Sequence, residues 1–192
     1  MYAELLGDAR VYEVLQRIDE ELATRARTGG CVCGGRLHSA RYPRKPRGGP
    51  HGLSAQYEQR LSYCCAAEGC RKRTTPPSVR FLGRKVYLGA VVVLVSALRQ
   101  GPTPTRVSVL HEFFGVGART LRRWRQWWQR AFATSAFWRA ARGRVLPVVS
   151  VTELPRGLVE RFAGPDTDRL PQVLRFLSPI TTGSCGLSGG GF

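Results

Sequence analysis

Five of the six cysteines fall in two tight groups, and thiolates at such spacings do metal chemistry. Cys31 and Cys33 form a CxC pair followed by Gly34 and Gly35, where the backbone can turn sharply round an ion. Cys64, Cys65 and Cys70 form the second group. Cys65 and Cys70 bracket a C-x4-C loop long enough to wrap one metal. Four thiolates satisfy a tetrahedral Zn²⁺, so Zn²⁺ is the expected cofactor, with Cys31, Cys33, Cys65 and Cys70 as its ligands. In a strand, Cys64 points to the opposite side from Cys65 and stands as an alternate ligand. His38 and His51 are further alternates, and His38 reads more simply as a surface or packing residue. The competing reading is a set of unligated buried thiols. Cys185 has no partner near it in sequence and reads as a free thiol.

A second group of residues has the chemistry to meet a polyanion. Residues 107–128, VSVLHEFFGVGARTLRRWRQWW, carry two helical periods separated by Gly115-Val116-Gly117. Glycine accepts the angles of a sharp helix–helix turn. Leu110, Phe114, Val116, Leu121 and Trp124 fall on inward positions, and Trp128 continues the second period. Arg119, Thr120, Arg122, Arg123 and Gln126 are then candidates to touch DNA from the second helix. That layout is a helix-turn-helix, whose second helix enters the major groove. An amphipathic helical hairpin with a solvated basic face is the plainer alternative. His111 stands where such motifs usually carry a small residue, which predicts a wider helix crossing. Arg44, Lys45 and Arg47, set among Pro and Gly in the 43–52 loop, suit an extended arm in a minor groove or a solvated loop.

These residues need elements to hold them. Segments 36–42, 60–63 and 71–75 read as short strands carrying the two Cys knuckles, a zinc-ribbon pattern. Val11, Val14, Leu15, Ile18 and Leu22 make one apolar stripe in a helix over 8–26, stopped by Thr28-Gly29-Gly30. That helix either packs on its own domain or serves as a dimerisation or docking helix. Val86 to Leu98 is an uncharged run of 13 residues. It is too short to span a bilayer and is read as the first helix of a three-helix unit. Thr103 or Thr105 is the expected N-cap of the next helix. Thr134 or Ser135 should cap a short helix over 136–142, with Phe132, Phe137 and Trp138 in the core. Two amphipathic pieces follow over 154–162 and 169–177, the second capped by Asp168. The expected fold class is mainly α with a small β zinc ribbon. The organisation is an N-terminal helix over 1–30, a ribbon over 31–80 and a helix-turn-helix domain over 81–131. A short helical region over 132–178 and a flexible tail over 179–192 complete it.

Charge narrows the function classes. The chain of 192 residues has a formal charge of +17 and a pI near 10.9. Such a field attracts polyanions, nucleic acid first and an anionic membrane surface second. Residues 1–26 carry 3 basic and 6 acidic side chains, whereas residues 71–130 carry 13 basic and 1 acidic. Arginine, which dominates, binds phosphate and guanine edges bidentately. Catalysis is not expected. Two-metal strand transfer needs several carboxylates, and Glu112 is the only acid in 71–130. The chain lacks a GxxxxGK[ST] loop. The N-terminus lacks the pattern of an export signal, so a cytoplasmic, nucleoid-associated protein with metal-bound or free thiols is expected, without a membrane role.

The segments CVCGGRLHSARYPRKPRG and CCAAEGCRKRTTPPSVRFLGRKVYL, followed by the 107–128 motif, form a familiar order. The chain resembles the zinc-ribbon plus helix-turn-helix proteins and N-terminal domains of bacterial insertion-sequence transposases over residues 30–130. In that family the two modules recognise the element's terminal repeats. The resemblance implies zinc on Cys31, Cys33, Cys65 and Cys70, and DNA contacts from Arg119, Arg122, Arg123 and Gln126. It implies an accessory or regulatory role in transposition. The first knuckle is one residue shorter than the family's, and no acidic catalytic domain follows. Transposition would then need a separately encoded transposase. The expected partners are double-stranded DNA, that transposase and, through the first helix, a second copy of the chain. A transcriptional regulator of the same architecture and a structured-RNA-binding protein are the alternatives.

Overall fold

The computed structural model of the chain describes residues 2–44, 52–82, 89–96 and 103–182. Lys45, Arg47, His51 and Cys185 lie outside the described residues, as does the tail from 183 onward. The chain opens with a one-and-a-half-turn helix, α1 (Tyr2–Gly7), and a long helix, α2 (Ala9–Thr28). Asp8 caps α2, its side chain accepting from the Arg10 amide at 2.9 Å. Arg25 and Arg27 in the last turn suit the negative end of the helix dipole. The buried face of α2 is Val11, Tyr12, Leu15, Ile18, Asp19 and Ala23. Val14, expected in the apolar stripe, is instead exposed, because the stripe is rotated towards Tyr12 and Asp19.

An antiparallel sheet of order β1-β2-β3 follows, from β1 (Leu37–Pro43), β2 (Gln59–Cys65) and β3 (Arg73–Thr74). The remaining elements are helical. They are α3 (Gly89–Ser96), α4 (Pro104–Phe114), α5 (Ala118–Trp127), α6 (Ala136–Ala141), α7 (Arg156–Val159) and α8 (Asp166–Leu177). Thr103 immediately precedes α4, as one of the two expected caps, and its carbonyl accepts from the Val107 amide. Ser135 caps α6 by accepting from the Trp138 amide at 3.1 Å. Two expectations need correction. Asp168 does not cap α8; Pro165 holds that position, and both Asp166 and Asp168 lie in the first turn, where their charge favours the helix dipole. The chain after 178 does not become a tail at once. Ser178–Thr181 is a 3₁₀ turn with Ile180 and Thr181 buried, because Ile180 completes the apolar core.

One apolar cluster takes in Leu6, Tyr12 and Leu15 from the N-terminal helices, Val79 and Phe81 after the sheet, and Ala90 to Val93 of α3. It continues through Trp124, Trp128 and Phe132 to Leu158, Leu170 and Leu174. The first helix, the Gly-broken helical pair and the C-terminal helices therefore share one core. A second, small cluster joins Ala23, Cys31, Leu37, Tyr63 and Cys65 at the sheet. Among the described residues, no helix is long and apolar enough to cross a membrane.

Candidate metal centre and cationic helix

The sheet register decides which thiols converge. Leu37 pairs with Cys65 and His38 with Cys64. Successive side chains of a strand face opposite sides, so Cys65 shares the buried side with Leu37 and Tyr63. That side lies under the end of α2, where the Tyr63 hydroxyl donates to the Ala23 carbonyl at 2.9 Å. Cys64 is turned away, its thiol directed to the carbonyls of Arg71 and Cys65. His38 is exposed on that same outer side. Neither alternate joins the cluster.

The ligand atoms of Cys31, Cys33, Cys65 and Cys70 all lie within 4.8 Å of one another, and together they could hold a metal ion. The Cys33 and Cys65 sulfurs are 3.4 Å apart, and those of Cys31 and Cys70 are 3.7 Å apart. Two tight turns build the cage. In the first, Gly34 takes a φ of +79° and its amide donates to the Cys31 carbonyl at 2.8 Å. A side chain at Gly35 would put its Cβ 2.6 Å from the Cys65 sulfur and 3.3 Å from that of Cys33. Only glycine lets the backbone come this close to the sulfurs. In the second turn the Ala67 amide donates to the Cys65 sulfur at 3.4 Å. The electrostatics are uneven. The Gly35 amide, with help from the neighbouring thiols, draws the Cys33 thiol down to about 7. The Ala67 amide favours the Cys65 thiolate, but burial and the thiols of Cys33, Cys31 and Cys70 push it up to about 12. An arriving dication would therefore have to displace the proton of Cys65.

The second constellation is α4, a three-residue turn and α5. Gly115 takes a φ of +62° at the end of α4. Its amide donates to the His111 carbonyl and the Val116 amide to that of Leu110. The Gly115–His111 bond is the αL stop of a helix, which needs a left-handed residue where glycine stands. All five inward assignments hold. Leu110, Phe114, Val116, Leu121 and Trp124 are buried. Trp127, absent from the expected inward set, is buried as well. A single turn of π-helix, Trp128–Phe132, continues α5 and brings Trp127, Trp128 and Phe132 into one aromatic cluster with ring centroids 4.7–5.5 Å apart.

On the other side of α5, Arg119, Arg122, Arg123, Arg125 and Gln126 are exposed, and Thr120 is half-buried. Among the described residues, no carboxylate pairs with any of these guanidinium groups. Arg44 is the one residue of the proposed basic arm that lies among the described residues. Its guanidinium stacks 4.8 Å over the Tyr42 ring and donates to the Tyr42 hydroxyl, while Arg73 approaches the same ring at 5.9 Å.

The sequence reading missed one site. Asp19 and Arg80 form a buried ion pair with Nε to Oδ2 at 2.8 Å. Ser78 donates through its hydroxyl to the same carboxylate, and so does the Val79 amide. The Arg80 guanidinium also reaches the carbonyls of Tyr57 and Gln59. Ser78 in turn donates its amide to the Thr181 hydroxyl. An acid in the middle of a helix face otherwise rich in solvated acids gives no periodic signal. Comparison with known proteins found no matching family, no similar curated protein and no similar solved structure.

Proposed function

We propose that the chain binds duplex DNA, with α5 entering the major groove. Arginine and lysine side chains neutralise phosphates and fix register, while outward groups of α5 test base edges. The observation that carries this reading is the uncommitted basic face of α5. Arg119, Arg122, Arg123 and Arg125 are exposed and, among the described residues, unpaired by acids, on a helix fixed from behind by Leu121, Trp124 and Trp127. Left without an anion, so many like charges on one helix repel one another. We further propose zinc as the metal. A Zn–S distance of about 2.3 Å puts tetrahedral sulfurs about 3.8 Å apart; two of the sulfur pairs lie at 3.4 and 3.7 Å, and all four sulfurs lie within 4.8 Å of one another. In this reading the zinc-bound ribbon is a second DNA-contacting module. The chain acts at the nucleoid as an accessory factor of a mobile element, beside a separately encoded transposase. Selection of binding sites from a random duplex pool tests the central claim. We expect one enriched motif, bound more tightly than matched RNA. Equal binding of RNA of the same length, or no enrichment, would overturn it.

A further inference from the structure

Six large apolar side chains are exposed among the described residues, and Leu146, Val148 and Val151 fall in one stretch of six residues. Leu146 is 71% exposed and Val148 64%. This stretch is held out by design of its anchors. Val145 and Val149, on either side of the tip, are each 5% exposed and belong to the main core. Val149 packs so close to Gly157 that a Cβ there would sit 2.8 Å from its Cγ1. The Arg161 Nε donates to the Pro147 carbonyl at 2.9 Å. The core thus grips both sides of Leu146-Pro147-Val148 and leaves the three in water.

The surroundings of the tip are cationic. Arg139, Arg142 and Arg144 are exposed just before it and residues 132–152 contain no acid, while Glu153, which lies beside Gly157 just after it, is faced by Arg156 at 3.9 Å. The tip is also tethered to the end of α5. The chain reaches it from α5 through the turn at Trp128–Phe132 and α6, and the 3₁₀ turn Val151–Glu153 packs back on that same turn. A symmetric contact between two copies through this tip would bring their arginines together, which disfavours a second chain as the occupant. Guanidinium groups beside a leucine–proline point match another target. Proteins that read the minor groove flank it with Arg and drive an apolar wedge between base steps, kinking the duplex.

We infer that Leu146, Pro147 and Val148 form a wedge that enters the minor groove next to the site read by α5 and bends the DNA. This inference rests on duplex binding by α5. Its test is built so that the two fail separately. A duplex of about 40 base pairs carrying the selected motif, with donor and acceptor dyes at its ends, reports bending by energy transfer, expected at about 20–90° for wedge insertion. The double substitution Leu146→Ser, Val148→Ser changes only exposed side chains, so the fold should survive. We expect this variant to keep the selected motif, lose the bend and bind about tenfold more weakly, since the unstacked step is no longer filled. A variant that bends the duplex as the unaltered chain does overturns the wedge and leaves the DNA reading standing. An unaltered chain that binds without bending does the same. Failure of the unaltered chain to bind any duplex removes both. Binding to anionic vesicles that the double substitution abolishes, with DNA bending unchanged, assigns the tip to a membrane surface and overturns the wedge.

Discussion

At the scale of single residues, the outcome turns on which side of a backbone each side chain leaves. Adjacent thiols at Cys64 and Cys65 are equivalent in composition and opposite in register. Cys65→Ser should therefore abolish binding of one equivalent of metal, whereas Cys64→Ser should retain it, as read by elemental analysis of the purified chains. Metal retained by Cys65→Ser and lost by Cys64→Ser would reverse the ligand assignment. Gly35→Ala should lose the metal although no ligand is touched, because its Cβ would sit 2.6 Å from the Cys65 sulfur. The same logic governs α5. Arg122→Ala and Arg123→Ala should each weaken specific DNA binding by about 1–3 kcal/mol per lost base contact, with little effect on stability, since both side chains are exposed. Unchanged affinity for the selected motif in a gel-shift titration would count against base contacts at these positions. These choices were legible beforehand because they depend on local rules, strand alternation and helical period. Asp19 was not legible. Its partner Arg80 is 61 positions away, and only the closed fold brings the two charges to 2.8 Å.

At the scale of elements, that buried pair joins parts that sequence treats as separate. Through Asp19 it fastens α2, through Arg80 the start of β2, and through Ser78 the terminal turn at Thr181. Its groups leave water entirely, and the carboxylate and guanidinium are satisfied by each other and by backbone. Removing one partner strands the other charge in the interior. Asp19→Ala should cost about 3–5 kcal/mol of stability. The double change Asp19→Leu, Arg80→Met should cost much less, as both charges go together. Urea denaturation of the two variants separates these outcomes, and equal losses would show that the pair is not coupled. The element boundaries that went astray have a similar cause. The 154–162 piece is helical only over Arg156–Val159. The start of the C-terminal tail is ordered because Ile180 is drawn into a core built by distant helices. Periodicity reports a face, but it does not report what arrives from the far end of the chain to cover it.

At the scale of the whole molecule, two cores of unequal size predict two separable responses. The small cluster is Ala23, Cys31, Leu37, Tyr63 and Cys65, and two of those five residues belong to the four-cysteine group that could hold a metal ion. So small a cluster stabilises little by burial alone, and in such units metal binding is folding free energy. The large core contains Trp124, Trp127, Trp128 and Trp138, which are all the tryptophans of the chain. Chelation should therefore release the ribbon strands over 31–44 and 59–75 while leaving tryptophan emission and most helical ellipticity unchanged. Hydrogen exchange should quicken in the ribbon amides and stay slow in α5. The α5 side should then keep its salt-dependent affinity for DNA after metal loss. Counterion release makes log affinity fall linearly with log salt, with a slope set by the phosphates contacted rather than by net charge. Neutralising Glu13 and Glu20 on the exposed face of α2 should for that reason leave the slope unchanged. Each α5 arginine that touches a phosphate should lower it by about 1 when replaced by alanine. A chelated chain whose tryptophans become solvent-exposed would show that the two cores unfold as one. The ribbon would then be a support for the helical body rather than a module beside it.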